Sequence, residues 1–436
     1  MIMENSEKLW TGKVPDNWKF YKGKYIFGER SERGNAINLQ LLSPTQKYGV
    51  IPQSMYDELT SMKSVKVKED TDLSTFKTIH RGDFCISLRS FQGGFEYSEY
   101  EGVVSPAYHV LFSKMDICAG YYKYLFKEQR FIAEMNSYCQ SLRDGKNISY
   151  FDFGRTLIPF PPLSEQQSIA DYLDETCSKI DEIIAEAKAS IDEYKELKQS
   201  VIFEAVTKGL DKNVEMKDSG VEWIGNIPSS WQLRKLKTFT VMISKGTTPK
   251  DMSNVKTTLY CVRYLKSENI KNNHLDIVPE FYITEATHNE LSRSKLNGND
   301  ILFVIAGASI GKVAIMDENL LPANTNQANA FIRIKDEFMD SIEYLWMLLQ
   351  SVIVKEVINR YSVQSAQPNI SMENLGNIKL PYPLLKRERD NIMNYLREKV
   401  DVIDSLITEK ESLINDLEAY KKSLIYEVVT GKRRVV

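Results

Sequence analysis

Two stretches of the chain repeat apolar residues at heptad spacing. In the first, Leu173, Ile180, Ala187, Tyr194 and Val201 recur every seven residues, with Cys177, Ile184 and Ile191 four places after the first three. In the second, Leu396, Ile403, Leu417 and Leu424 hold the matching places, with Val400, Ile407 and Ile414 beside them. A stripe of this kind predicts long helices in a coiled coil. Neither 164–208 nor 386–430 contains Pro or Gly. At roughly 1.5 Å per residue each would form a rod of about 65 Å. The two helices are expected to pack antiparallel, since each globular region has to leave at its own end. Elsewhere, short apolar runs at Phe84–Leu88, Tyr108–Phe112, Ile301–Ile305 and Ala330–Ile334 predict strands. Helical stretches are predicted over Tyr121–Met135 and Ser341–Asn359.

The pattern is duplicated. Trp10, Gly12, Val14, Pro15 and Trp18 recur as Trp223, Gly225, Ile227, Pro228 and Trp231, a constant offset. After about 140 residues in each copy, Asn147-Ile148-Ser149 is echoed by Asn369-Ile370-Ser371, and Pro159-Phe160-Pro161 by Pro381-Tyr382-Pro383. The helical stretches then align from Glu165/Glu388 through Ile180/Ile403, Asp181/Asp404 and Lys198/Lys421 to Thr207/Thr430. Duplication of this length is a structural repeat. The expected fold class is α/β (α+β): two mixed α/β domains and two long antiparallel coiled-coil helices, in a tandem repeat with a pseudo-two-fold arrangement. The layout is a first domain over 1–163, a central spacer helix over 164–208 and a polar linker over 209–222. A second domain over 223–385 and a distal spacer helix over 386–436 complete it. The spacer seam is assigned to Leu173, Ile180, Ile184, Ile191, Leu396, Ile403, Ile407 and Leu417.

Charge refines this picture. The net charge of −3 is unevenly spread. Residues 18–157 carry 19 basic and 16 acidic side chains, and residues 231–378 carry 16 and 15. Residues 164–222 carry 7 against 15, so most of the negative charge sits on one spacer, and the globular parts are free to meet a polyanion. The five cysteines (Cys85, Cys118, Cys139, Cys177, Cys261) are scattered, which speaks for a reducing compartment and against a disulfide framework or zinc finger. The four histidines (His80, His109, His274, His288) show no metal-ligand spacing and read as core or surface residues. The polar start and the lack of any 18-residue apolar run give a cytoplasmic protein without a membrane span.

No catalytic motif stands out. There is no Asn/Asp-Pro-Pro-aromatic motif, no glycine-rich cofactor loop and no nuclease-like acidic cluster followed by lysine. Gly307-Ala308-Ser309-Ile310-Gly311-Lys312 follows a predicted strand, where a phosphate-binding loop would sit. That motif needs four residues between its glycines and Ser or Thr after the lysine; here there are three, and Val313 follows. A turn between two strands is the better reading. Catalytic, cofactor-binding and metal-binding residues are therefore assigned to none.

The order Trp-x-Gly-x-Ile/Val-Pro-x-x-Trp, globular domain, Pro-aromatic-Pro, Glu165-Gln166-Gln167 and long helix, given twice, resembles the specificity subunit of type I restriction-modification enzymes. Gly82-Asp83, Val104-Ser105-Pro106-Ala107-Tyr108, Asn299-Asp300, the Gly307–Lys312 turn and Asn326-Gln327 look like segments of its target recognition domains. The distal Lys386-Arg387-Glu388-Arg389 departs from the usual Glu-Gln-Gln. The resemblance implies a non-catalytic subunit reading a bipartite, asymmetric double-stranded DNA target, with the helices setting the gap between half-sites. It further implies two modification (methyltransferase) subunits and up to two restriction subunits as partners, which carry S-adenosylmethionine, ATP and Mg; no cofactor is expected in this chain. Whether such a system restricts or only methylates is not written in this chain. Base and phosphate contacts are expected from polar loops beside the strands. In the first domain these are Ser87, Arg89, Gln92, Tyr97, Arg143 and Lys146. In the second they are Lys245, Thr247, Thr248, Ser309, Lys312, Asn326, Gln327, Gln364 and Gln367. The alternative is a two-headed coiled-coil scaffold that binds proteins and has no DNA specificity.

Overall fold

The computed structural model describes residues 10–33, 40–60, 73–86, 94–138, 148–249, 261–362 and 369–435. Two compact units are present, Met1–Lys188 with Ser412–Val436, and Ala189–Glu411. The central helix (Leu163–Lys208) and the distal helix (Lys386–Val429) are each continuous, and each contributes one part to either unit.

Six strands frame the first unit: β1 (Lys19–Lys22), β2 (Phe27–Glu29), β3 (Phe84–Ile86), β4 (Phe95–Tyr97), β5 (His109–Ser113) and β6 (Leu157–Phe160). β1 pairs with β6, and an antiparallel sheet runs in the order β2-β5-β3-β4. Side chains alternate across it, as the pleat requires. Leu111, Phe84 and Ile86 face an aromatic core, while Val110 and Cys85 face a second cluster with Leu42, Val50, Ile79 and Val104. Helices α1 (Ala119–Leu125), α2 (Gln129–Ser137) and α3 (Tyr150–Arg155) cover the aromatic side. The helical stretch expected over Tyr121–Met135 is divided into two helices. Phe126 and Phe131 would point about 140° apart on a continuous helix. The break turns both rings inward, 5.1 Å apart, and Glu128 caps α2 by accepting from the Phe131 N–H at 2.9 Å.

The second unit repeats the frame. β7 (Gln232–Lys235) pairs with β12 (Lys379–Tyr382). Strands β8 (Thr240–Lys245), β9 (Ile301–Val304), β10 (Val313–Ile315) and β11 (Asn329–Ile334) form a sheet in the order β8-β11-β9-β10. The helical stretch expected over Ser341–Asn359 is also divided into two, α4 (Ile342–Leu349) and α5 (Val352–Ser362). Here the buried Ser351 hydroxyl donates to the Leu348 carbonyl at 2.6 Å, drawing off a helix acceptor at the break. Met216–Asp218, in the stretch read as linker, forms a strand against Asn226–Pro228. The Lys217 ammonium fixes it by donating to the Ser229 and Trp231 carbonyls.

Within each unit the helices run antiparallel. In the first, Ile169 and Leu173 share a core with Leu424, Val428 and Val429, while Asp181 accepts from Lys421 at 2.6 Å. In the second, Ile202, Ala205 and Val206 pack with Ile392, Met393 and Leu396, while Asp404 accepts from Lys198 at 2.6 Å. The two ion pairs join residues that are equivalent in the repeat. Of the seam residues, Leu173, Ile180, Ile184, Ile191, Leu396 and Ile403 are buried, and Ile407 and Leu417 are half-buried.

Each helix begins on the same joint. The Trp18 indole N–H donates to Glu165 at 2.8 Å, and that of Trp231 donates to Glu388 at 2.7 Å. One residue on, Gln166 donates to the Pro161 carbonyl and accepts the Cys118 N–H. Arg389 donates to the Pro383 carbonyl in the same way and turns its other nitrogen to the Asp340 carboxylate at 3.0 Å. The departure from Gln is thus matched by an acid on the facing segment. In the first unit the Lys432 ammonium also donates to the Thr11 carbonyl at 2.6 Å, tying the two ends of that unit's chain.

Candidate nucleic-acid interface

The second unit gathers its candidates at one end of its sheet, where β8 and β9 finish and β10 and β11 begin. Lys245 ends β8, and Gly246 and Thr247 are tied to the turn before β11: Gly246 N–H donates to Asn329 O and Thr247 N–H to Thr325 O, both at 3.0 Å. A Cβ on Gly246 would collide with the Thr325 carbonyl, so only glycine allows this approach. The Tyr264 hydroxyl holds the Thr247 carbonyl at 3.0 Å, and burial pushes its phenol up. The Ile305 N–H donates to Ala328 O at 2.8 Å and brings the β9–β10 connection beside the same turn.

That connection is a hairpin. Val304 and Lys312 are joined by Val304 N–H to Lys312 O, and Gly311 N–H returns to Val304 O, each at 2.9 Å. Gly307 and Gly311 both adopt positive φ. The strand is followed by an antiparallel strand and not by a helix, so the helix N-terminus a phosphate-binding loop requires is missing at this turn.

Lys245, Thr247, Thr248, Lys312 and Gln327 are exposed, and Ser309 and Asn326 half-buried. Lys245 and Lys312 have no ion-pair partner among the described residues. The three segments that carry these side chains, 245–249, 305–312 and 325–328, contain no carboxylate. The other end of the sheet differs: Asp300, Asp317, Glu318, Asp336 and Glu337 lie in its connections, interleaved with Lys237, Lys295 and Lys335. Asp300 is held there by Arg333 through two bonds of 2.9 and 2.7 Å. Beneath the exposed residues, Asn329 is wholly buried, donates to Thr325 Oγ1 at 2.9 Å and leaves its Oδ1 unpartnered; Asn326 Oδ1 is likewise buried and unpartnered.

In the first unit Tyr97 stands apart. It ends β4 at the opposite end of the sheet and packs 5.4 Å from the Phe84 ring; burial, then Glu99, pushes its phenol up. Ser87, Arg89, Gln92, Arg143, Lys146, Gln364 and Gln367 lie outside the described residues. The chain nevertheless enters 87–93 from β3 and returns at β4, as it enters the Gly307 hairpin from β9 and returns at β10.

Sequence reading passed over a polar group on the first sheet. Glu29 Oε1 lies 2.6 Å from His109 Nδ1 and 3.6 Å from the Lys77 ammonium. These residues belong to three strands far apart in sequence, and no spacing announces them. A second Arg–Asp pair, Arg30 with Asp83 at 2.9 and 3.1 Å, fixes the entry to β3 as Arg333 with Asp300 fixes that to β9.

The family described as the type I restriction modification DNA specificity domain matches residues 15–193 and 228–418. The chain is 28% identical over 279 residues to the type I restriction enzyme MjaVIII specificity subunit of Methanocaldococcus jannaschii, covering 62% of this chain and 61% of that one. It is 25% identical over 261 residues to the EcoBI specificity subunit of Escherichia coli, covering 56% and 52%. The matched part is thus under two thirds of either relative's length. Among solved structures, a chain from work on complex assembly and conformational transition of the type I R-M system superposes with a TM-score of 0.72 at 13% identity, covering 97% of this chain and all of that one. The HsdS subunit from Thermoanaerobacter tengcongensis gives 0.52 at 15% identity, covering 97% and 98%.

Proposed function

The chain belongs to the type I restriction modification DNA specificity family, and from that premise we propose that it reads a bipartite, asymmetric duplex target, one half-site per unit, and scaffolds the subunits that act on it. The observation that carries this reading is the end of the second sheet. Two lysines with no ion-pair partner among the described residues and five hydroxyl or amide side chains converge there with no carboxylate among them, while the connections at the other end of the same sheet carry five carboxylates beside their lysines. Lysines suit phosphates, and amides and hydroxyls suit base edges. Unsatisfied buried amide oxygens at Asn326 and Asn329 add groups that gain from a donor.

The chain itself is non-catalytic in this reading. Two modification subunits would bring S-adenosylmethionine and methylate an adenine, and up to two restriction subunits would bring ATP and Mg. A purely protein-binding scaffold is not favoured, because it leaves the carboxylate-free, lysine-bearing end of the sheet without a use.

Single-molecule methylation sequencing of cells expressing this chain with its neighbouring methyltransferase tests the proposal. A split, asymmetric adenine-methylated motif that disappears without the chain is the expected result. An assembled, active complex with no chain-dependent motif would refute it.

A further inference from the structure

At one place the two units match in backbone and differ in surface. In the first unit, one helical turn (Gly23–Ile26) leads into β2 and lies against α3. The Gly23 N–H donates to Thr156 O at 2.9 Å, and the Lys114 N–H, just past β5, donates to Ile26 O at 2.7 Å. In the second unit, the Leu236 N–H donates to Ile378 O and the Lys335 N–H to Phe239 O, both at 2.9 Å. A Cβ on Gly154 would stand 3.2 Å from that of Lys24, and one on Gly376 would stand 3.5 Å from that of Lys237. These contacts equate Tyr25 with Thr238, Phe151 with Glu373 and Arg155 with Asn377.

The first unit exposes two rings here, Tyr25 at 58% and Phe151 at 68%. Phe151 lies one helical turn before Gly154, so both rings flank the same contact. Each has a cation against it: Lys24 Nζ is 5.3 Å from the Tyr25 ring centre, and the Arg155 guanidinium is 4.7 Å from that of Phe151. Arg155 is neutralised by Asp152 at 2.9 Å, while Lys24 and Lys114 are exposed and have no ion-pair partner among the described residues. The second unit keeps the lysines, as Lys237 and Lys335, but sets a hydroxyl, a carboxylate and an amide where the rings and the guanidinium stand. β5 begins opposite Ile86 and ends here, so this place lies at the far end of the first sheet from 87–93. Exposed aromatic rings beside an arginine are the composition of an interface centre. The lysines around them call for carboxylates, and the rings for a large apolar side chain.

We propose that this patch holds an acidic segment of a modification subunit, with an apolar side chain against Tyr25 and Phe151 and carboxylates at Lys24 and Lys114. The proposal rests on the chain being a specificity subunit with two such partners. A partner present twice meets this place on both units. On the first it finds rings and lysines; on the second, Glu373 repels its carboxylates. The two copies are therefore held unequally, and the first unit fills first.

The test titrates the purified full chain with the modification subunit, counts bound copies by native mass spectrometry and maps the occupied unit by hydrogen exchange. With one copy bound, protection is expected in peptides over 150–155 ahead of those over 372–377. Tyr25→Thr with Phe151→Glu, which copies the second unit, should weaken the tighter site about 10- to 100-fold. Thr238→Tyr with Glu373→Phe and Asn377→Arg should tighten the weaker one. An unchanged melting temperature shows that each variant is folded. Equal protection of both units in wild type, or affinities unmoved by either exchange in folded variants, overturns the proposal. So does protection of 150–155 by a single-stranded oligonucleotide and not by the modification subunit. If the wild-type chain binds no modification subunit at all, the specificity-subunit reading fails along with it.

Discussion

The two units solve the same joint with different chemistry. In the first, Gln166 spans a proline carbonyl and a backbone N–H, both neutral groups. In the second, Arg389 reaches the same carbonyl, lies 4.8 Å from the Tyr382 ring and needs Asp340 for its charge. The sheets differ likewise. β4 places Glu96 opposite Cys85, where β10 places Ala314 opposite Leu302. The frame is therefore fixed by strand order and by the Trp–Glu contact, while the polar residues on it are exchangeable in matched sets.

That difference can be broken at the joint. Arg389→Gln should destabilise the second unit by about 2–4 kcal/mol, because Asp340 and two carbonyls lose their donor. Hydrogen exchange should report the loss in peptides of 189–411, and adding Asp340→Ser should recover part of it. Equal loosening in both units would mean that the joints are not independent.

A middling effect is expected from Glu96. Burial pushes its carboxyl up to about 7, against the opposing pull of Lys127 at 2.7 Å. A raised carboxyl pKa means stability that is full below the unfolded value near 4.5 and is lost as pH rises through about 7. Wild type should therefore melt lower at pH 8 than at pH 5, by on the order of 1–3 kcal/mol. Glu96→Ala, copying the second unit, should remove that slope. A slope that persists in the variant assigns it to another group.

The smallest effects belong to the basic end of the second sheet. Lys245→Ala and Lys312→Ala should each weaken DNA binding by the assembled complex without changing the motif, and flatten the salt dependence by about one counterion apiece. A changed motif would make either lysine a base reader.

Much of the frame was legible in the chain. Heptads from Leu173 and Leu396 gave the helices, because one periodic stripe determines one face. Short apolar runs gave β3, β5, β9 and β11. The helix breaks were not legible, since the stacking of Phe126 on Phe131 in the aromatic core and a single Ser351 hydroxyl decide them. Nor was Met216–Asp218, an exposed strand with no apolar alternation, held by backbone pairing and by the Lys217 ammonium. The turn residues of the second unit could be named because Gly, Asn, Thr and Lys crowd short loops. Glu29, Lys77 and His109 could not, because only the fold brings them together.

The first unit includes Ser412–Val436, and its Thr11 carbonyl waits for Lys432. During synthesis, residues 189–411 are all made before that unit can close, although its own strands emerge first. At roughly 5–20 residues per second the delay is on the order of 10–45 s. Throughout that interval Leu173 and Ile180 lack the distal helix that covers them, so the half of the protein translated earliest is the last to be finished.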